Sequence, residues 1–339
     1  MDMINMMNDY NHTAHPRVLE ALLNVAGRRF VGYGLDDETA AAAEMVRSLT
    51  GLPDAAVHFM PGGTITNLTA VSAFLRPHEA VVAPASGHLY VHETGAIEAT
   101  GHKVLTIPPK DGKVNGTDVR AIVRAHTDEH MVRPKLLYLS QASELGTVYT
   151  RAELEDLRRA CDDSGLYLYI DGARLGCALM SGANDMALTE LARLADAFYI
   201  GGTKNGLLFG EALVINNPSL SSEFRHIVKQ KGGLLSKGFL LGIQFQAILE
   251  DGLYFELARA ANDAAVRLSE GLCEKGVPLL TDTVTNQVFP VVCGEALRRL
   301  EKRVLFEAWA SEREDGTPIR FVASWLTTED EIRAVLELV

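Results

Sequence analysis

The sequence predicts an α/β protein: a large domain built on a mostly parallel sheet, then a smaller α+β domain. Short apolar runs alternate with helical patterns through much of the 339-residue chain, which is the mark of βαβ units. The runs are apolar on both faces, as strands covered by helices on either side must be. From about Leu240 the alternation gives way to one long helical stretch and a few strands.

Seven strand-like runs carry the large domain: Val57 to Phe59, Ala80 to Ala83, Lys103 to Ile107, Leu136 to Leu139, Leu166 to Ile170, Ala197 to Ile200 and Ala212 to Ile215. Helical spacing joins several of them. One helix is expected from Thr64 to Phe74. Another runs from Arg151 to Cys161, opened by Thr150 as cap with Glu153 three residues on, a capping-box pattern. Beyond Leu240, a helix is expected over Leu253 to Lys275, a strand over Gln287 to Val292, a second over Ile319 to Val322, and a closing helix. The expected division is an N-terminal arm over 1–14, a large domain over 15–245 and a small domain over 246–339.

Composition narrows the function. Hydrophobic residues make up 47% and charged residues 22% of the chain, so it can bury a core and disorder is not expected. A net charge of −12, from 32 basic and 44 acidic residues, argues against nucleic-acid or anionic-membrane partners, which need positive field. No apolar run reaches transmembrane length, and no secretory signal is expected from the first residues. Cys161, Cys177, Cys273 and Cys293 show no C-x-x-C pair, as expected for a cytoplasmic protein.

Four motifs fall at strand ends or helix starts, the edge where open α/β sheets bind ligands. Met60-Pro61-Gly62-Gly63-Thr64 lies between strand and helix, where free N–H groups and the helix dipole suit a phosphate; an ordinary turn capped by Thr64 is the competing reading. Asp171-Gly172-Ala173-Arg174 follows a buried strand. A carboxylate there needs a cation, either a protonated ring nitrogen or Arg174 itself. Gly201-Gly202-Thr203-Lys204-Asn205-Gly206 places a lysine among glycines after another buried strand. Partial desolvation would make that amine a nucleophile; a solvated lysine in a glycine-rich loop is the alternative. His88 opens a helical segment, where its ring could stack on an aromatic cofactor. His88 and His92 also have an i, i+4 metal-ligand spacing, but no further Cys or His cluster in the sequence completes a metal site.

The order and spacing of these motifs resemble the fold-type I pyridoxal-phosphate enzymes, the aspartate aminotransferase-like group, and within them the threonine aldolase and β-eliminating lyase family. His88 stands 24 residues after Thr64 (88 − 64), and Lys204 stands 33 after Asp171 (204 − 171). The resemblance runs from Asn8-Asp9 to Arg320. It implies pyridoxal 5′-phosphate as cofactor, with Lys204 forming the Schiff base, Asp171 on the ring nitrogen, His88 on the ring face, and Gly63, Thr64 and Thr203 on the phosphate. Arg174 and Arg320 would bind the carboxylate of an amino-acid substrate, with Asn8 where the family often has a serine. Tyr33 and one of Lys229, Lys231 and Lys237, with Lys237 the choice, would reach a neighbouring subunit's site in a homodimer or homotetramer.

The implied activity is cleavage of threonine, allo-threonine and related β-hydroxy-α-amino acids to glycine and an aldehyde. One departure concerns the base. Many threonine aldolases carry a histidine in the loop after the strand ending near Leu139, whereas this loop reads Ser140-Gln141-Ala142-Ser143-Glu144. His88, Glu93, Glu144 or a held water remain as candidates. β-Elimination on the same cofactor and non-catalytic cofactor binding are the rival functions. A dinucleotide oxidoreductase is disfavoured because no G-x-G-x-x-G follows the first strand.

Overall fold

The computed structural model describes residues 3–339; residues 1 and 2 of the expected arm lie outside them. Its centre is a seven-stranded sheet in the order Ala56–Met60, Glu211–Ile215, Ala197–Gly201, Tyr167–Asp171, Arg133–Ser140, Glu79–Pro84, Val104–Ile107. All neighbours run parallel except across Glu211–Ile215, which is antiparallel to both strands beside it. That reversal follows from its short connection: only a loop separates it from Ala197–Gly201, and a parallel crossover needs a longer one.

Successive side chains of a strand point to opposite faces, and the core divides accordingly. Leu168, Ile170, Phe198 and Ile200 enter one hydrophobic cluster, with Leu154, Leu157 and Cys161 of the Arg151–Ser164 helix packed on it. Tyr169, Ala197 and Tyr199 enter the other, beneath Ala70, Val71 and Phe74 of the Gly63–Phe74 helix. The Arg151–Ser164 helix begins with the expected reciprocal capping box between Thr150 and Glu153.

A second, smaller sheet pairs Thr317–Val322 antiparallel with Gln287–Val288, Val291–Val292 and Glu307–Ala308. The single strand expected over Gln287 to Val292 is thus two pieces. Pro290 has no N–H for the ladder, while its carbonyl and that of Phe289 accept from Ile319 and Leu280. The Leu253–Glu274 helix joins both bodies: Tyr254 and Leu257 pack in the first core, Leu268 and Leu272 in a third. The Phe239–Leu249 helix crosses the expected 245/246 division and packs Phe245, Ala247 and Ile248 into the first core. The arm adds Ile4–Asn5 as a strand parallel to Val304–Leu305, and Met6 is buried in the third core. Among the described residues no helix is long and apolar enough to cross a membrane.

Candidate active site

At the carboxyl edge of the large sheet lies a cavity of about 520 Å³. Its walls bring together Gly63, Thr64, His88, Asp171, Arg174, Thr203, Lys204 and Arg320 of the residues singled out in the sequence. Close backbone contact makes that possible. The Asp171 and Lys204 loops touch where Gly201 N–H donates to the Gly172 carbonyl at 3.0 Å. A Cβ on Gly172 would stand 1.7 Å from the Tyr199 carbonyl oxygen. Gly172 therefore serves the approach of two chain segments.

Asp171 is shielded from solvent and held by four donors. Tyr138 Oη and Asn67 Nδ2 donate to Oδ2 at 2.6 and 3.0 Å; Tyr199 Oη and the Ala173 N–H donate to Oδ1 at 2.5 and 3.0 Å. Burial pushes its pKa up, but the charge of His88 and these side-chain hydrogen bonds outweigh burial and leave it below the ordinary value. Asp171 is thus a buried anion. It does not pair with Arg174: Nε and Nη2 of Arg174 donate to Asp9 Oδ2 and Oδ1 at 2.7 and 3.0 Å. Burial lowers the Lys204 pKa, the charge of Arg174 lowers it further, and Asp9, Glu144 and Asp171 oppose the shift without cancelling it.

His88 is the first residue of a short helix, and its Nδ1 lies 2.9 Å from Glu93 Oε1. Burial pulls its pKa down; the Glu93 hydrogen bond and the charges of Glu144 and Asp171 push harder, so it sits above the ordinary value. The Gly63–Phe74 helix has Gly62 as its cap, with no side-chain cap hydrogen bond. Thr64 is therefore not the cap, and this helix start, with Gly62, Gly63 and Thr64 lining the cavity, has no side-chain acceptor for its first N–H groups. Arg320 donates through Nη2 to Glu307 and through Nη1 to Gln287 Oε1 at 3.3 Å, while its Nε is buried without a partner.

Three expected site residues are not brought to this cavity. Asn8 Oδ1 accepts from the Tyr10 N–H at 3.1 Å, while its neighbours do the work nearby: Asp9 holds Arg174, and the Tyr10 ring lies 5.9 Å from Lys204 Nζ. Tyr33 is exposed under Lys229, with Nζ 4.5 Å from the ring. Lys237 is also exposed, and Tyr33 N–H donates to the carbonyl of adjacent Ser236 at 3.0 Å. Lys231 is not a cavity residue either. His92 does line the cavity, with its ring centroid 5.5 Å from that of His88. Among the described residues no group of three or more His, Cys, Asp or Glu side chains is placed to hold a metal.

Sequence reasoning missed Asp9, Glu211, Asn67, Tyr138 and Tyr199. The tyrosines left a readable sign: each stands two residues before its strand's end, on the same face by alternation, flanking the strand that ends in Asp171. Glu211 left none. It is buried, accepts from Thr203 Oγ1 at 2.7 Å and from the Gly202 N–H at 2.9 Å, and burial raises its pKa to about 7.

Sheet, cavity and small unit define an enzyme of the aspartate aminotransferase-like, fold-type I class. Thermus thermophilus aspartate aminotransferase with maleate superposes with a TM-score of 0.73 at 17% identity, covering 99% of this chain and 91% of that one, a likeness of fold alone. The chain belongs to the beta-eliminating lyase family, whose model matches residues 25–294. It is 34% identical to the low specificity L-threonine aldolase of Pseudomonas sp. strain NCIMB 10558, over 89% of this chain and 87% of that one. Identity to the Escherichia coli K12 low specificity L-threonine aldolase is 28%, over 85% and 84% of the two chains. A Leishmania major threonine aldolase structure superposes with a TM-score of 0.97 at 45% identity, covering 99% of this chain and 98% of that one.

Proposed function

We propose that the chain is an aldolase that uses pyridoxal 5′-phosphate to cleave L-threonine, L-allo-threonine and related β-hydroxy-α-amino acids to glycine and an aldehyde. The observation that carries this reading is Lys204, an amine with a lowered pKa, in one cavity with the buried anion Asp171. The cofactor, when bound, supplies an aldehyde that condenses with amines and a ring that accepts the electron pair left on Cα.

The residues present fit that group. The uncapped helix start at Gly63 and Thr64 offers donors to a phosphate, and the Thr203 hydroxyl, which donates to Glu211 in this structure, would join them by turning from that carboxyl. Asp171 provides the negative charge that keeps a ring nitrogen protonated. His88 gives an aromatic wall whose orientation Glu93 fixes. Lowering the Lys204 pKa raises the fraction of free amine available to attack an aldehyde. Asp9 fixes the Arg174 guanidinium and leaves Nη1 for a substrate carboxylate, while the unpartnered Nε of Arg320 offers a second donor. Held at its carboxylate, the substrate keeps its scissile bond in one orientation.

Tyr33 and Lys237 lie away from this cavity but close together, since Tyr33 and Ser236 are hydrogen-bonded. In this reading the pair serves the cavity of a second copy, in a homodimer or homotetramer. Asn8 acts through the arm that carries Asp9. The cofactor domain is read as 15–245 and the smaller domain as 246–339, with the Phe239–Leu249 helix running across the division.

The test is direct. Protein supplied with cofactor should absorb as a lysine-bound form and release glycine plus acetaldehyde from L-threonine, not pyruvate plus ammonia from L-serine or L-tryptophan. Borohydride reduction and peptide mapping should label position 204. Lys204→Ala should lose both absorbance band and turnover; cleavage at the wild-type rate by that variant would refute the reading.

A further inference from the structure

Resting on the aldolase reading, we propose that Glu144 takes the proton from the β-hydroxyl of the substrate. Four carboxylates line the cavity: Asp171, Glu211, Glu307 and Glu144. Three of them are committed. Asp171 accepts four hydrogen bonds, Glu211 accepts from Thr203 and the Gly202 N–H, and Glu307 is ion-paired with Arg320. Glu144 accepts from the Ser140 hydroxyl at 3.1 Å through Oε1, and among the described residues no lysine or arginine forms an ion pair with it. That leaves Oε2 for a substrate hydroxyl.

Its position is central. Glu144 is only 7% exposed, and its charge acts on His88, His92, Arg174, Lys204 and Arg320. These groups come from four separate segments of the chain, so the carboxylate stands among the groups assigned to amine and carboxylate. The other base candidates fit less well. His88 has Nδ1 on Glu93 and carboxylates around it that favour its cationic form, which has no lone pair to accept a proton. Glu93 uses Oε1 for both His88 and Asn67 and does not line the cavity. His92 packs against the rings of His88 and Trp309, at 5.5 and 6.3 Å between centroids. Ser143, also in this loop, turns its hydroxyl to Thr147 Oγ1 at 2.6 Å and lies outside the cavity wall.

The step balances without a further reactant. The hydroxyl O–H bond breaks and its proton passes to Glu144. The oxygen's electron pair forms the carbonyl of the departing aldehyde as the Cα–Cβ bond breaks, and the bond's pair is left at Cα. A proton later added at Cα gives glycine, and Glu144 returns its own to solvent.

The experiment compares wild type, Glu144→Gln, Glu144→Asp and His92→Asn, each loaded with cofactor. Two quantities are read: kcat for L-threonine cleavage, and the dissociation constant of glycine from the absorbance change it causes at equilibrium. Glycine has the amine and carboxylate of the substrate but no hydroxyl, so it reports folding, cofactor and carboxylate binding without the proposed step. Glu144→Gln should lower kcat roughly 10²- to 10⁴-fold, with glycine binding within about threefold of wild type, a shift of under 1 kcal/mol. Glu144→Asp should recover part of the rate, and His92→Asn should keep most of it. Glu144→Gln cleaving at near the wild-type rate overturns the proposal, as does loss of glycine binding in step with cleavage. A wild-type protein that binds no cofactor and makes no glycine overturns the aldolase reading itself, before position 144 is altered.

Discussion

Asp9 and Arg174 form a two-point ion pair, with Nε and Nη2 of the arginine donating at 2.7 and 3.0 Å to the two carboxylate oxygens. The side chains are 1% and 8% exposed, so neither charge has water as a substitute partner. Asn286 Nδ2 also donates to Asp9 at 2.9 Å. Removing one partner of a buried pair strands the other. Asp9→Asn is expected to cost about 3 kcal/mol in urea unfolding and to raise KM for L-threonine roughly tenfold or more, the kinetic equivalent of 1.4 kcal/mol. Cofactor absorbance should persist, because Asp9 acts on Arg174, the residue proposed for the substrate carboxylate.

Glu211 is expected to give cofactor binding a pH dependence. Its pKa of about 7 reflects burial first, opposed by its hydrogen bonds to Thr203 and Gly202 and by the charge of Lys204, with Asp171 adding to the upward shift. The carboxyl is neutral below that value and anionic above it, next to the threonine assigned to the phosphate. Pyridoxal 5′-phosphate is therefore expected to bind more weakly as pH rises from 6 to 8. In Glu211→Gln that part of the pH dependence should disappear, as read by equilibrium titration of apoprotein.

His58 predicts an acid limb of stability. Its pKa is lowered to about 4 by burial and by the charge of Arg225; its ring also lies 4.8 Å from that of Phe224. The unfolded chain binds this proton near pH 6.5 and the folded one near 4, so between those values the unfolded state holds more protons. Stability from this group is full above about 6.5 and is lost as pH falls towards 4, by roughly 3 kcal/mol at most. His58→Gln should flatten the slope of unfolding free energy against pH in that window, relative to wild type.

Gly172 predicts a position closed to any side chain. A Cβ there would meet backbone, which cannot rotate away, whereas one on Gly182 would meet nothing within 4 Å. Gly172→Ala is expected to lose more than about 4 kcal/mol or to give no soluble protein, and Gly182→Ala to stay within about 1 kcal/mol, both by denaturant unfolding.

What could be read from residue order was what is local. The Thr150–Glu153 capping box and the strand before Asp171 depend on neighbours a few positions away; the box stands as expected, and the strand expected over Leu166 to Ile170 runs Tyr167–Asp171. Asp9 escaped because its partner lies 165 positions along the chain; nothing near Asn8 tells which of two adjacent polar residues turns inward. Asp171 was legible as a carboxylate that needs compensation, and its donors were not, since Tyr138, Tyr199 and Asn67 pass for ordinary core and helix residues until the sheet order is known. Pro290 is the opposite case: the break it makes between Val288 and Val291 was written in the sequence and passed over.

The arm strand Ile4–Asn5 pairs with Val304–Leu305, Met6 accepts from the Val322 N–H, and Asp9 is held by Asn286. These partners all follow the strands of the large sheet in chain order. During synthesis the large sheet can assemble long before the segment that orients Arg174 has anything to lie on. The pocket is therefore finished by the meeting of a segment that precedes the large sheet with segments that follow it, and whatever displaces the arm would disturb the geometry of Arg174 as well.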